Sequence, residues 1–430
     1  MGILRFIDLF AGIGGMHLGF DLAATQLGLK TELVLASELN KDARAVYEMN
    51  FGKQPLGDIR NIQNLPGHDV LLAGFPCQTF SYGGKKAGFG DTRGTLFFEI
   101  MRLVDTFQPP AMIFENVAGL ISHDKGKTFK TIRHEVEERG YSFDWFYMNS
   151  CNYGIPQNRL RAYMICLKTK KERPIHLVSD KGPSDSHQFS REVISLFDDY
   201  TDTTVVRDIL ETNPDSKYDC SRAFTEALKQ ALKGRPIHGL RLIDYRGGHS
   251  VHSWELGMRG ECSEEEIAFL NEFILERRKK KFGKHQDGKL LTFEQIASYY
   301  PSKNLASILE SLVKKGYLKK LGEGYKPVAG NFSFEVFKFL DPDKISITLT
   351  SSDTEKLGVH HNDRVRRITP REAARLQGFP DSFSLHPDDR KAYFQLGNAV
   401  SVRVAEVIAL ETLQASGLAR KIREATPEFA

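Results

Sequence analysis

At 430 residues the chain exceeds what one ordinary hydrophobic core organises, so two domains are expected. A 41% hydrophobic and 27% charged content excludes a disordered or collagen-like chain; Arg5 and Asp8 interrupt the first twenty residues, and no apolar run approaches about 18, so neither signal peptide nor membrane span is expected. The net charge of +4 belongs to the middle of the chain, where Lys233 to Lys326 holds 18 Lys and Arg against 12 Asp and Glu, a balance that suits either a polyanion or a solvated helix face.

Ile3 to Leu9 reads as a central parallel strand ending in Phe10-Ala11-Gly12-Ile13-Gly14-Gly15, and Leu18, Leu22 and Leu27 continue as a helix. Strand, glycine turn and helix form either a nucleotide-like ligand cradle or a tight turn without ligand. Glu32 to Ala36 gives a second strand leading to Glu38, where an acid at the strand tip suits a ribose diol. After a helix from Asp42 to Met49, Asp58 stands near a base amine or is a turn former.

Val70 to Ala73 is the next strand, followed by Gly74-Phe75-Pro76-Cys77-Gln78. A lone free cysteine is most often a small buried hydrophobe. Here Pro76 stiffens the backbone before Cys77, and Gly83, Gly84, Gly88, Gly90 and Gly94 follow, so Tyr82 to Arg93 reads as a mobile loop beside a thiol. The five cysteines (Cys77, Cys151, Cys166, Cys220, Cys262) show no C-x-x-C; reduced thiols, no metal site and a cytoplasmic setting are expected.

Leu96 to Phe107 and Phe129 to Arg139 read as helices, Ala111 to Glu115, Ser142 to Ser150 and Ala162 to Leu167 as strands. This alternation predicts an α/β fold with a doubly wound sheet. Glu115, leaving an apolar run, is either an acid of raised pKa or a cap at a strand end. Arg159 and Arg161, two apart, share one side of a strand. The pattern lapses near Lys168. Farther on, Ser263 to Lys281 reads as a helix with a capping box, then Leu291 to Tyr299 and Leu305 to Lys315 as helices before a short hairpin. That is the outline of a winged helix-turn-helix at 291–326, with Lys314, Lys315, Lys319 and Lys320 as candidate phosphate contacts. Thr369 caps a helix to Leu376, and Gln395 to Val400 opens a final helix to Leu413.

Taken in order, Phe10 to Gly15, Pro76-Cys77-Gln78, Glu115-Asn116-Val117, Gln157-x-Arg159-x-Arg161, Arg367 to Pro380 and Gly397-Asn398-Ala399-Val400 resemble the ordered motif set of DNA (cytosine-5) methyltransferases of the prokaryotic restriction-modification type. The resemblance covers about residues 3 to 168 and 345 to 412. It implies a Rossmann-like methyltransferase domain at 1–168, an inserted target-recognition domain at 169–345 and a return segment at 346–430. It also implies S-adenosyl-L-methionine as cofactor, held by Phe10, Gly12, Gly14, Gly15, Glu38, Asp58, Ile59, Phe75, Leu96, Asn398 and Val400. Cys77 would be the nucleophile, with Glu115, Arg159 and Arg161 at the cytosine. Leu39 departs from the aromatic that the family often shows there. The expected partner is double-stranded DNA, approached by base flipping, and a cognate restriction endonuclease would act on the same site without direct contact; a monomer is expected. Three other readings are a tRNA cytosine-5 methyltransferase, a non-catalytic DNA-binding protein on the same scaffold and a nicotinamide-linked oxidoreductase. The basic central region favours duplex DNA over tRNA, intact Cys77, Glu115 and Arg161 argue against a non-catalytic scaffold, and an oxidoreductase needs no Pro-Cys turn.

Overall fold

Along β1 (Ile3–Leu9), Leu4 and Phe6 enter one apolar core while Ile7 and Leu9 enter another, as a strand buried on both faces requires. The computed structural model describes residues 2–76, 96–168, 171–180, 204–244, 249–283, 290–328 and 334–425. Cys77 and the 82–93 loop expectation lie outside the described residues. The chain alternates through α1 (Gly15–Gln26), β2 (Lys30–Ser37), α2 (Lys41–Phe51), β3 (Val70–Ala73), α3 (Leu96–Thr106), β4 (Ala111–Val117), α4 (Lys127–Glu138), β5 (Ser142–Asn149), β6 (Leu160–Leu167) and the short α5 (Val206–Ile209).

These strands form a six-stranded sheet in the order β2-β1-β3-β4-β6-β5. The first four are parallel, each joined to the next across a helix. β6 runs antiparallel to both β4 and β5, because the connection 150–159 is too short to return a parallel strand. The strand order reverses between β1 and β3, the topological switch point where such sheets open a crevice at their carboxyl ends.

Two compact units divide the chain: 1–211 with 344–354 and 370–430, and 212–343 with 355–369. These limits differ from boundaries at 168 and 345. Residues 355–369 join the inserted unit because β13 (Leu357–His361) pairs with β12 (Lys338–Leu340), register Lys338 with Leu357.

The inserted unit holds two cores. One gathers α6 (Arg222–Leu232) and a five-stranded sheet ordered β14-β13-β12-β7-β8, in which β7 is Arg241–Leu242, β8 Ser250–Val251 and β14 Arg364–Arg367. The other packs Phe269, Phe273 and Ile274 of α7 (Glu264–Glu276) against Ile296 of α8 (Phe293–Ala297) and Ile308 and Leu312 of α9 (Leu305–Lys314). β9 (Leu291–Thr292), β10 (Leu318–Leu321) and β11 (Gly324–Pro327) form a three-stranded sheet beside it. Two expectations are corrected here. α7 stops at Glu276 instead of Lys281, since five consecutive cations follow and like charges repel at helical i,i+4 spacing. Leu291 and Thr292 are strand, with Thr292 Oγ1 accepting from Gln295 N–H at 3.3 Å to start α8. Lys315 is also engaged, its Nζ donating to Glu266 at 2.9 and 2.7 Å.

The first unit is completed by α10 (Pro370–Arg375), α11 (Asp389–Asn398), α12 (Val402–Ala415) and α13 (Leu418–Glu424). Met16 and Phe20 of α1 share one core with Val404 and Ile408 of α12. Contrary to expectation, Gln395 to Val400 closes one helix and precedes the next. The Ala399 carbonyl that would continue the helix instead accepts from Arg159 Nη2 at 2.7 Å. Among the described residues no helix is long and apolar enough to cross a membrane.

Candidate active site

The chain leaves β1 through Phe10, whose φ of 57° is left-handed and strained for an aromatic residue. That reversal folds residues 10–15 across the strand end, where Ala11 N–H donates to Ser37 O and Gly14 N–H to Ala11 O, both at 2.9 Å. Gly12, at φ 56°, faces open space, so a side chain there would intrude on the crevice. Its N–H donates to Glu38 Oε2 at 2.9 Å, while Glu38 Oε1 accepts from Asn40 N–H at 2.7 Å. Each carboxylate oxygen keeps a lone pair for a further donor. Gly15 lies so close to α12's approach that a Cβ would meet Val400 O at 2.5 Å.

This turn forms one wall of a cavity of about 600 Å³ whose other walls come from residues 38–43, the segment 74–76 after β3, the ends of β4 and β6, and α11. Phe10, Gly12, Gly15, Glu38, Phe75, Glu115, Arg159, Arg161, Asn398 and Val400 all line it. Glu115 is 8% exposed at the end of β4, with Oε1 3.3 Å from Arg161 Nε. Burial raises its pKa even though Arg161 and Arg159 pull the other way. Arg159, 3% exposed, donates through Nη1 to Leu349 O at 2.9 Å and through Nη2 to Ala399 O. Burial and Arg161 bring its pKa down to about 9, so the guanidinium stays charged at neutral pH. Gln157 works beside it, its Oε1 accepting from Leu349 N–H at 2.9 Å. Asn116 Nδ2 donates to Phe75 O at 2.8 Å, which ties the end of β4 to the turn that leads into Cys77.

Gly14, Asp58, Ile59 and Leu96 are not among the cavity-lining residues. Gly14 backs onto Phe51, which a Cβ would strike at 2.2 Å. Asp58 accepts from Arg60 Nε at 2.9 Å, and that bond holds its carboxyl below the usual range. Ile59 is buried in the core beside α3, and Leu96 packs against the same core. Leu39 does line the cavity and is 69% exposed. Sequence reasoning missed Phe394, which also lines it; its spacing of four from Asn398 on one helix face was the available signal. Cys151, Cys166, Cys220 and Cys262 are all free, and burial raises every one of these thiols, to about 11 for Cys151 and Cys262 and about 12 for Cys220. None of the four is a ready nucleophile.

A glycine turn with a strand-tip acid at a switch point thus shares one cavity with a buried carboxyl and an arginine, the layout of an α/β fold with a ligand crevice at its strand ends. The chain belongs to the C-5 cytosine-specific DNA methylase family, whose model matches residues 4–414. It is a DNA (cytosine-5-)-methyltransferase, of a family that depends on S-adenosyl-L-methionine and acts on double-stranded DNA. The Type II methyltransferase M.HgiCI of Herpetosiphon aurantiacus is 54% identical over 421 residues, 97% of this chain and 99% of its own. The Type II methyltransferase M.BanI of Aneurinibacillus aneurinilyticus is 54% identical over 413 residues, 96% of each chain. The solved structure of the Entamoeba histolytica methyltransferase EhMeth matches with a TM-score of 0.52 at 15% identity, over 96% of this chain and 98% of that one, a likeness of fold.

Proposed function

We propose that the chain methylates C5 of one cytosine in a specific duplex sequence, through covalent addition of Cys77 at C6 after the base has been flipped out of the stack. The observation that carries this reading is the shared cavity: Glu115 and Arg161 face the same space as Gly12 and Glu38. The residues present fit the cofactor. Gly12 leaves room at the strand end, Glu38 has acceptor capacity for a diol, and Phe10, Phe75 and Val400 supply apolar walls. Asn398 lines the cavity as well, and Gly14, Asp58, Ile59 and Leu96 are proposed as further cofactor-binding positions from the family resemblance alone. When bound, S-adenosyl-L-methionine supplies an electrophilic sulfonium methyl group for C5.

The chain's own residues do the rest. The Cys77 thiolate adds to C6 as Glu115 gives a proton to N3, so the ring electrons are pushed onto C5. Once C5 carries the methyl group, its proton leaves to a base, the C6–sulfur bond breaks, and Glu115 recovers the proton from N3. Arg161 steadies the carboxyl, whereas Arg159 acts through the backbone carbonyls it holds and is a positioning residue. The raised thiols of the four described cysteines support Cys77 for the nucleophile's role.

The inserted unit is read as the target-recognition domain, and 291–326, in the order β9-α8-α9-β10-β11, as a winged helix-turn-helix. From the Type II designation of its relatives, the chain is assigned to a restriction-modification pair with a cognate endonuclease; it works as a monomer in the cytoplasm, where such DNA lies. Conversion-sequencing of plasmid DNA from expressing cells should show one methylated cytosine in one sequence context. A duplex carrying 5-fluorocytosine there should trap a covalent complex with wild type and none with Cys77→Ser. A missing band with wild type, or a persisting one with the variant, would remove Cys77 from the mechanism.

A further inference from the structure

We propose that the exposed face of the β10–β11 ribbon binds DNA phosphates flanking the recognised sequence, an interaction separate from base reading. This rests on the reading of the inserted unit as the DNA-recognition domain. The ribbon's register sets Lys319 directly opposite Lys326. Both side chains therefore leave the same face of the two strands, and like charges in directly opposed positions destabilise a sheet. Neither lysine forms an ion pair among the described residues, nor do Lys303, two residues before α9, and Lys314 at its end.

Three nearby cations of the unit are instead held by carboxylates. Lys315 is bound by Glu266, and Lys279 and Lys281 are both bound by Glu276. On the ribbon and around α9, Lys303, Lys314, Lys319, Lys320 and Lys326 outnumber Glu310 and Glu323. Lys320 sits on the other ribbon face, its Nζ 5.6 Å from the Tyr325 ring. On a solvated face the opposition of Lys319 and Lys326 is unfavourable. A row of phosphates, by contrast, relieves the repulsion of the pair. Lysine ends are flexible point charges, suited to phosphate and poor at discriminating base edges.

The test uses the full-length protein and two duplexes that share the target found by conversion-sequencing, one barely covering it and one extended by a helical turn on each side. The variant is Lys319→Gln with Lys326→Gln. Its affinity for the long duplex should fall about tenfold at low salt, and the slope of log affinity against log salt should become shallower by about 2, roughly 0.9 for each phosphate no longer neutralised. Affinity for the short duplex and the methylated sequence should stay as in wild type. Lys319→Glu, which places a carboxylate opposite Lys326, should raise the unfolding temperature while weakening the long duplex further. An unchanged salt slope on the long duplex, a shifted target sequence, or weakened binding accompanied by a lower unfolding temperature would overturn the inference. Wild-type protein that methylates no duplex at all would instead overturn the reading beneath it.

Discussion

Glu115 carries the most chemical information of any described side chain. Its carboxyl is buried at a strand end, and the nearest cation, Arg161, does not fully offset the loss of solvent. A raised pKa means that the proton-donating form persists to higher pH than for a free glutamate, and is lost as pH rises through the raised value. Wild-type kcat/KM should therefore carry an alkaline limb from this group. Glu115→Gln should lower kcat/KM by about 10² to 10⁴ at neutral pH, leave cofactor affinity nearly untouched and abolish that limb, since the amide does not titrate. Parallel losses of cofactor binding and rate would make Glu115 a structural residue. Arg159 shows the opposite case, a charged side chain in the cavity whose bonds all go to backbone carbonyls.

The pairing of α1 with α12 decides whether the glycine turn at 10–15 has a firm back wall. Gly19 lies where a Cβ would stand 2.6 Å from Val402 O and 2.7 Å from both Ala405 Cβ and Glu406 N. Two of these three atoms are backbone, which cannot rotate aside. Gly19→Ala gains about 1 kcal/mol of helix propensity but incurs about 1–3 kcal/mol of overpacking. A lower unfolding temperature and weaker cofactor binding are expected, because α12 begins just beyond Val400, the residue that touches Gly15. Calorimetry of the variant checks this: an unchanged or raised unfolding temperature would show that the two helices part at little cost.

For the whole molecule, recognition and chemistry should separate along the compact units and not along a single contiguous block. Glu115, Arg159 and Arg161 belong to the first unit, while residues 355–369 belong to the second, where 357–359 pair with 338–340. Exchanging 212–343 together with 355–369 for the matching pieces of a relative should change the methylated sequence and preserve turnover. Exchanging 212–343 alone should leave β13 beside a foreign strand and yield a less stable protein, which expression level and proteolysis would report. If the single-block exchange were as stable as the double one, the β12–β13 pairing would contribute little.

These predictions draw unequally on the two levels of description. The parallel strands, the helices between them, the glycine turn and the acids at strand ends were legible because each is a local pattern: apolar runs of fixed period and turn residues within a few positions. Phe10, Glu38 and Glu115 could be singled out for the same reason. The fate of Arg159 was not legible, since the carbonyls it binds lie at Leu349 and Ala399, about 190 and 240 positions away. The limits of the inserted unit were equally hidden, for a strand's partner is set by backbone pairing across the fold and not by its own residues. Lys315 and Lys319 look alike in sequence, yet one is bound to Glu266 and the other stands opposite Lys326. Local chemistry determined the elements and the kinds of group at their ends; long-range packing alone decided which of those groups share a cavity and which charges remain unpaired.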